Sequence, residues 1–189
     1  MGYDAFATIL DNINAVAESG TVYVPVGKYN EQLNISKSLS IIGESKGSVT
    51  IDSSSFASGY GITVTADNVT LKNFTLKNPL THADGYGIHT SGCNTVIFEN
   101  LLIENSGRSG VDFIGCNNIT INNLEAKNNG GEGIAVKASS SVIVSNITTS
   151  GNVWAGMVIY TYGQYYTGGC NNIALTDGNG KLKWLNIGR

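Results

Sequence analysis

GVDFIGCNNITINNLEAKNNGGE (residues 110–132) and GIAVKASSSVIVSNITTSGNVWA (133–155) are consecutive copies of one pattern. Each opens on glycine, alternates apolar-x-apolar, turns, alternates again, meets an asparagine, and starts a third apolar stretch. Gly87, Gly110, Gly133 and Gly156 open four copies spaced 23 residues apart, and Gly61 opens an earlier one 26 residues before Gly87. Second segments align as Val69–Leu71, Val96–Phe98, Ile119–Ile121, Val142–Val144 and Ile173–Leu175. Two residues beyond each come Asn73, Asn100, Asn123 and Asn146, with Asp177 in the last copy. Third segments are Phe74–Leu76, Leu101–Ile103, Leu124–Ala126 and Ile147–Thr149.

A period of this length is too short for a propeller blade, which takes about 40 residues, and the leucine-rich consensus is missing. Three short alternating strands per repeat, unable to bury an apolar face alone, fit coils that stack at about the 4.8 Å strand spacing. The pattern therefore predicts a right-handed parallel β-helix, an all-β solenoid of three-strand coils. An asparagine facing inward at each bend is expected to bond backbone that the bend leaves unpaired, and to bond its counterpart one coil away. Ala66, Cys93, Cys116, Ser139 and Cys170 form a second column of small residues, expected inside as buried free thiols and their substitutes, with a Cys93–Cys116 disulfide between adjacent coils as the alternative that parallel Cβ directions disfavour.

Composition agrees. The 189 residues include 24 Gly and 2 Pro, the pattern of many short strands broken by turns. A net charge of −3 with 13% charged residues argues against nucleic acid or an anionic membrane as the main partner. No apolar run is long enough to span a membrane, and MGYDAFATIL lacks the basic-then-apolar layout of a signal peptide.

Residues 4–18 read as a capping helix, with Asp4 as N-cap and Phe6, Ile9, Leu10, Ile13 and Val16 on one face. Irregular first coils are expected over 21–58, regular coils over 59–180, and a terminal strand over 181–189, all in a single domain. The C-terminal stretch shows no cap helix. It is expected either to continue into a longer protein or to be covered by itself or another subunit, so self-association is open.

The stretch AVAESGTVYVPVGKYNEQLNISKSLSIIGES (15–45), followed by copies such as NVTLKNFTLKN (68–78), resembles the pectate-lyase-like superfamily of right-handed β-helix proteins. The resemblance covers nearly the whole chain. It implies the fold and an extracellular or cell-surface setting, with polysaccharide as the partner class. It spans lyases, uronan C5-epimerases, glycosidases, esterases, tailspikes and non-catalytic surface modules. Epimerases of that superfamily carry Asp-Pro-His on the relevant sheet. Here HADGYGIH (82–89) stands in its place, so no epimerase residue is carried over.

Insertions mark the elaborated face of a solenoid. The distance from Asn to the next Gly is 10 in three coils but 14 from Asn73 to Gly87. The distance from Gly to the second strand is 9 in three coils but 17 from Gly156 to Ile173. Both additions border the Gly-led strands and are expected to wall a groove. Alternation places Thr63, His89, Asp112, Ala135 and Val158 in one outward column and Thr65, Ser91, Ile114, Lys137 and Tyr160 in the next. The preceding turns add Tyr86, Arg108, Glu132 and Trp154, and the insertions add His82, Asp84, Tyr162, Tyr165 and Tyr166.

These residue types suit proton abstraction beside a sugar carboxylate, as in lysis or C5 epimerisation. That chemistry needs a cation, a base and a proton donor. Arg108 or Lys137 could neutralise the carboxylate, His89 oriented by Asp112 or Lys137 itself could be the base, and Tyr160 could donate. His82, Asp84, Tyr86, Glu132, Trp154, Tyr162, Tyr165 and Tyr166 are the expected substrate contacts. Hydrolysis by Asp112 and Glu132, roughly 10 Å apart along adjacent strands, sits at the outer edge of the inverting geometry. No cofactor is expected. Calcium is the weaker alternative, because the acidic residues do not form a dense oxygen cluster, and two histidines without a third ligand do not make a zinc site. A non-catalytic adhesive or structural module is the alternative reading.

Overall fold

A computed structural model describes residues 7–78, 84–160 and 170–176. Helix α1 (Ile9–Ala15) precedes β1 (Gly20–Val24), β2 (Gly27–Tyr29), β3 (Leu33–Ile35), β4 (Leu39–Gly43) and β5 (Val49–Asp52). Regular coils follow as β6 (Ile62–Val64) with β7 (Val69–Lys77), β8 (Ile88–Ser91) with β9 (Asn94–Glu104), and β10 (Val111–Ile114) with β11 (Asn117–Lys127). The last described coils hold β12 (Glu132–Lys137), β13 (Ser140–Ser145), β14 (Thr148–Ser150), β15 (Ala155–Tyr160) and β16 (Asn171–Thr176).

All recorded pairings among these strands are parallel, and β3, β6, β8, β10, β12 and β15 form a six-stranded sheet. The remaining ten strands form one sheet, because β7, β9 and β11 run through the asparagine bend without losing their ladder. The second and third segments of a coil are thus one strand folded at a corner. Inward residues stack coil on coil, and Phe98 meets Phe113 with ring centroids 5.2 Å apart.

Glycine opens each coil for lack of space. A Cβ at Gly87 would lie 2.5 Å from the Gly110 carbonyl oxygen and 2.6 Å from the Ile103 side chain. The register is reinforced outside the core. Asp52, Lys77, Glu104 and Lys127 occupy one cross-strand row with alternating charge, and Lys77 Nζ lies 2.9 Å from Glu104.

The asparagine ladder exists, but on the outside. Asn73, Asn100, Asn123 and Asn146 have φ between 50° and 62°, the left-handed region that asparagine tolerates. That conformation turns their side chains away from the core, and Asn123 and Asn146 are exposed. Asn100 Nδ2 donates to Asn73 at 2.9 Å and Asn123 Nδ2 to Asn100 at 3.0 Å, whereas Asn146 turns to Asn122. The inward polar ladder sits at another bend, just before the six-stranded sheet. Buried Asn129 accepts from the Ser106 backbone N–H at 3.0 Å and donates to Asn152 Oδ1 at 2.8 Å, and Asn152 donates to the Ala126 carbonyl. Asn129→Ala strips a buried N–H of its acceptor. It is expected to destabilise the fold by about 1–3 kcal/mol in urea unfolding, since a buried donor without a partner forfeits its solvation.

The cysteine column is as expected inside: Cys93 and Cys116 are buried, Cys170 half-buried, and all three are free thiols. The cap helix is shorter than the expected 4–18. It starts after Thr8, whose Oγ1 accepts from the Asp11 backbone N–H at 3.0 Å, so Thr8 is the N-cap of this helix, and the expected Asp4 and Phe6 lie outside the described residues. It ends at Ala15 because Val16 is already extended. Glu31 accepts from the Ile9 and Leu10 N–H groups, both at 2.9 Å, and Lys37 Nζ donates to the Asn14 and Val16 carbonyls. An acid at the helix start and a cation at its end complement its dipole and clamp it onto the first coils.

Candidate functional site

The outer face of the six-stranded sheet carries the columns read from alternation. Thr63, His89, Asp112, Ala135 and Val158 are register partners on successive strands, as are Ser91, Ile114, Lys137 and Tyr160. Asp112 Oδ2 lies 3.0 Å from His89 Nδ1, and Asp112 Oδ1 lies 2.5 Å from Lys137 Nζ. Three adjacent coils each contribute one member of a His89–Asp112–Lys137 chain.

Outward on a strand does not mean solvated here. Asp112 is 0% exposed and Lys137 2%. Aromatic rings close over them. Lys137 Nζ lies 5.2 Å from the Tyr86 ring centroid and 5.7 Å from that of Tyr160. The His89 ring packs against Tyr60 at 4.6 Å and Tyr86 at 5.4 Å, and these two tyrosines meet edge to face. Tyr60 is a site residue that the sequence reading missed. The available signal was its place immediately before Gly61, the place Tyr86 takes before Gly87.

Burial by itself would lower the Lys137 ammonium, but the Asp112 carboxylate against it wins, and the net shift is upward. Paired with Asp112 in this way, Lys137 is held as a cation, which argues against its use as a base and for its use as a fixed charge. Burial also pushes the phenols of Tyr86 and Tyr160 upward, Asp112 adds to the rise, and Lys137 opposes it. Both tyrosines keep their protons and can donate them.

Beside this cluster, Arg108 is sandwiched between aromatic faces, its guanidinium carbon 5.4 Å from the Tyr86 centroid and 5.5 Å from that of Trp154. Gly131, between Arg108 and Trp154 in the stack, leaves room for this approach: a Cβ there would lie 3.0 Å from the Arg108 carbonyl carbon. Arg108 Nη1 lies 3.2 Å from Asp84 Oδ1, and its buried Nε has no hydrogen-bond partner among the described residues. Glu132 is buried and accepts from Ser109 Oγ at 2.6 Å. With Asp112 also engaged on both oxygens, the two carboxylates of the hydrolytic scheme are already committed within the protein.

The sheet thus brings together His89, Asp112, Lys137, Tyr160, Tyr86, Arg108, Asp84 and Trp154, with Glu132 beneath. His82, Tyr162, Tyr165 and Tyr166, and with them most of both insertions, lie outside the described residues. Among the described residues, no three His, Cys, Asp or Glu side chains converge to hold a metal ion, and no helix is long and apolar enough to cross a membrane.

Stacked parallel coils, with a helix over the first and a polar cluster on one outer face, define a parallel β-solenoid. The family model of the right-handed β-helix region matches residues 28–179. The chain belongs to the right-handed β-helix family. No curated protein sequence matches it. Among solved structures, it is similar to the catalytic domain of an α-1,3-glucanase in complex with tetrasaccharides, at 16% identity and TM-score 0.68, over 82% of this chain and 31% of that one. It is similar to a surface protein and adhesin of Streptococcus pneumoniae, at 13% identity and TM-score 0.68, over 89% and 55% of the two chains. It is also similar to the A-module of a mannuronan C-5 epimerase from Azotobacter vinelandii, at 15% identity and TM-score 0.61, over 88% and 56%. This chain spans about a third of the glucanase domain and just over half of the other two. At such identities the likeness is one of fold.

Proposed function

We propose that the outer face of the six-stranded sheet binds an acidic polysaccharide outside the cell, and that His89 removes a proton beside a sugar carboxylate, the step common to polysaccharide lyases and uronan C5-epimerases. The observation that carries this reading is the buried Asp112 between His89 and Lys137. A carboxylate can only accept, so His89 Nδ1 donates to it. That leaves Nε2 as the basic nitrogen, on a ring held at both its Asp112 edge and its tyrosine faces. Lys137 pairs with Asp112 and holds it in place.

Arg108 supplies the positive charge that neutralises the substrate carboxylate and so acidifies the adjacent C–H. Tyr160 or Tyr86 supplies the proton that the leaving oxygen or the opposite sugar face requires. Side chains alone carry this scheme. The three structural neighbours, a glucanase, an adhesin and an epimerase by name, support a carbohydrate or surface setting without selecting among activities.

One observation favours a second reading, a non-catalytic binding module. Trp154 is 60% exposed beside Arg108, a surface suited to sugar stacking whether or not chemistry follows. Incubation with pectate, alginate and glucuronan separates the two. The catalytic reading expects unsaturated chain ends or sugars inverted at C5. Saturable binding of any of them without either product assigns the module, and no binding to any of them removes the polysaccharide reading.

A further inference from the structure

Arg108 already holds an anion, and the two halves of that pair are held unequally. The guanidinium carbon lies 5.4 Å from the Tyr86 ring centroid and 5.5 Å from that of Trp154, and the Arg108 backbone N–H donates to the Gly85 carbonyl at 3.1 Å. Asp84 is attached to Arg108 by one contact of 3.2 Å, and its side chain is 75% exposed. Water competes strongly for such an exposed carboxylate, so the contact adds little stability and exchanges readily.

We propose that Asp84 is an internal competitor: it occupies the anion seat of Arg108 in the free protein, and a ligand carboxylate or sulfate group takes the seat by displacing it. This rests on the reading that the face takes an acidic polysaccharide. It gives Asp84 a role opposite to the substrate contact expected from its position in the sequence.

The consequence is selectivity. A neutral sugar reaching the guanidinium breaks an ion pair and offers nothing in return. An anionic sugar exchanges one ion pair for another. Only an anion repays the broken pair, so a neutral sugar leaves Asp84 in its seat, while an anion takes the seat with less affinity than it would have for an unoccupied guanidinium. The aromatic sandwich keeps the planar fork of Arg108 in one orientation during the exchange, which a lysine at that position would not do.

The chain has two tryptophans. In a Trp184→Phe background, Trp154 emission therefore reports on the Arg108 sandwich. Glucuronate, inorganic sulfate and glucose are titrated against this protein with and without Asp84→Asn. The exchange predicts that Asp84→Asn tightens glucuronate and sulfate by about threefold, leaves glucose unchanged, and that Arg108→Gln abolishes the anion response. A response to glucuronate but not sulfate narrows the seat to carboxylates and supports the exchange. Equal or weaker anion binding by Asp84→Asn, or no anion response in either protein, overturns it. If the anions behave as predicted while long uronans do not bind, the exchange stands and the polysaccharide reading falls.

Discussion

Asp112→Ala is expected to destabilise the fold by about 3–5 kcal/mol, because it leaves the Lys137 ammonium buried without its counter-charge. For a chain of this size that corresponds to a fall in Tm of about 10 °C. Asp112 is fully buried and Lys137 nearly so, and the ion pair between them is 2.5 Å long. Lys137→Met should also destabilise, but by less, since His89 still donates to the carboxylate it leaves behind. The double variant Asp112→Ala/Lys137→Met should recover much of the loss, because no uncompensated charge then remains. Thermal and urea unfolding of the four proteins gives the coupling directly. Single variants costing under about 1 kcal/mol would mean that the pair is solvated and that Asp112 is not held as described. The pair alone is also compatible with a purely structural role, so this experiment establishes the scaffold of the site and not its chemistry.

The second large effect separates chemistry from scaffold. His89→Gln is expected to lower turnover of the acidic polysaccharide by about 10²–10⁴-fold, the usual contribution of a positioned general base. Binding and stability should change far less. His89 contributes one hydrogen bond to Asp112 and ring contacts to two tyrosines, and Lys137 still pairs the carboxylate when the imidazole is gone. A loss of stability as large as that of Asp112→Ala, with turnover unchanged, would assign His89 to the scaffold.

Much of this site was legible because a solenoid converts sequence period into spatial adjacency. Residues 23 apart and at the same phase of alternation are neighbours. This placed His89 beside Asp112 and Lys137 beside Tyr160 before any coordinates. Other features depend on quantities that alternation does not carry. Sidedness at a bend depends on the sign of φ, so the asparagine ladder was assigned to the inside although its left-handed corners turn it out. The inward ladder of Asn129 and Asn152 was missed because polar residues before a glycine read as an ordinary turn.

Alternation also equates outward with solvated. It therefore concealed that Tyr86 and Tyr160 cover Lys137, and with that cover the difference between a base and a locked cation. Tyr60 escaped notice because its coil is 26 residues from the next and stands outside the regular spacing. The helix start was misplaced for a simpler reason. Two capping residues, Asp4 and Thr8, precede the same apolar face, and only contact with Glu31 on the first coils selects the second.

The central claim is that His89 removes the proton beside the sugar carboxylate. It is tested most directly by solvent exchange, since lysis and epimerisation share that step. Each uronan is incubated with the protein in deuterium oxide and examined by NMR for deuterium at C5 of the recovered polymer and for C4=C5 unsaturation at the ends of any fragments. The account predicts deuterium incorporation, or elimination products, with the native protein and neither with His89→Gln at matched binding. A uronan bound saturably by the native protein, with every C5 hydrogen retained and no chain broken, would contradict it.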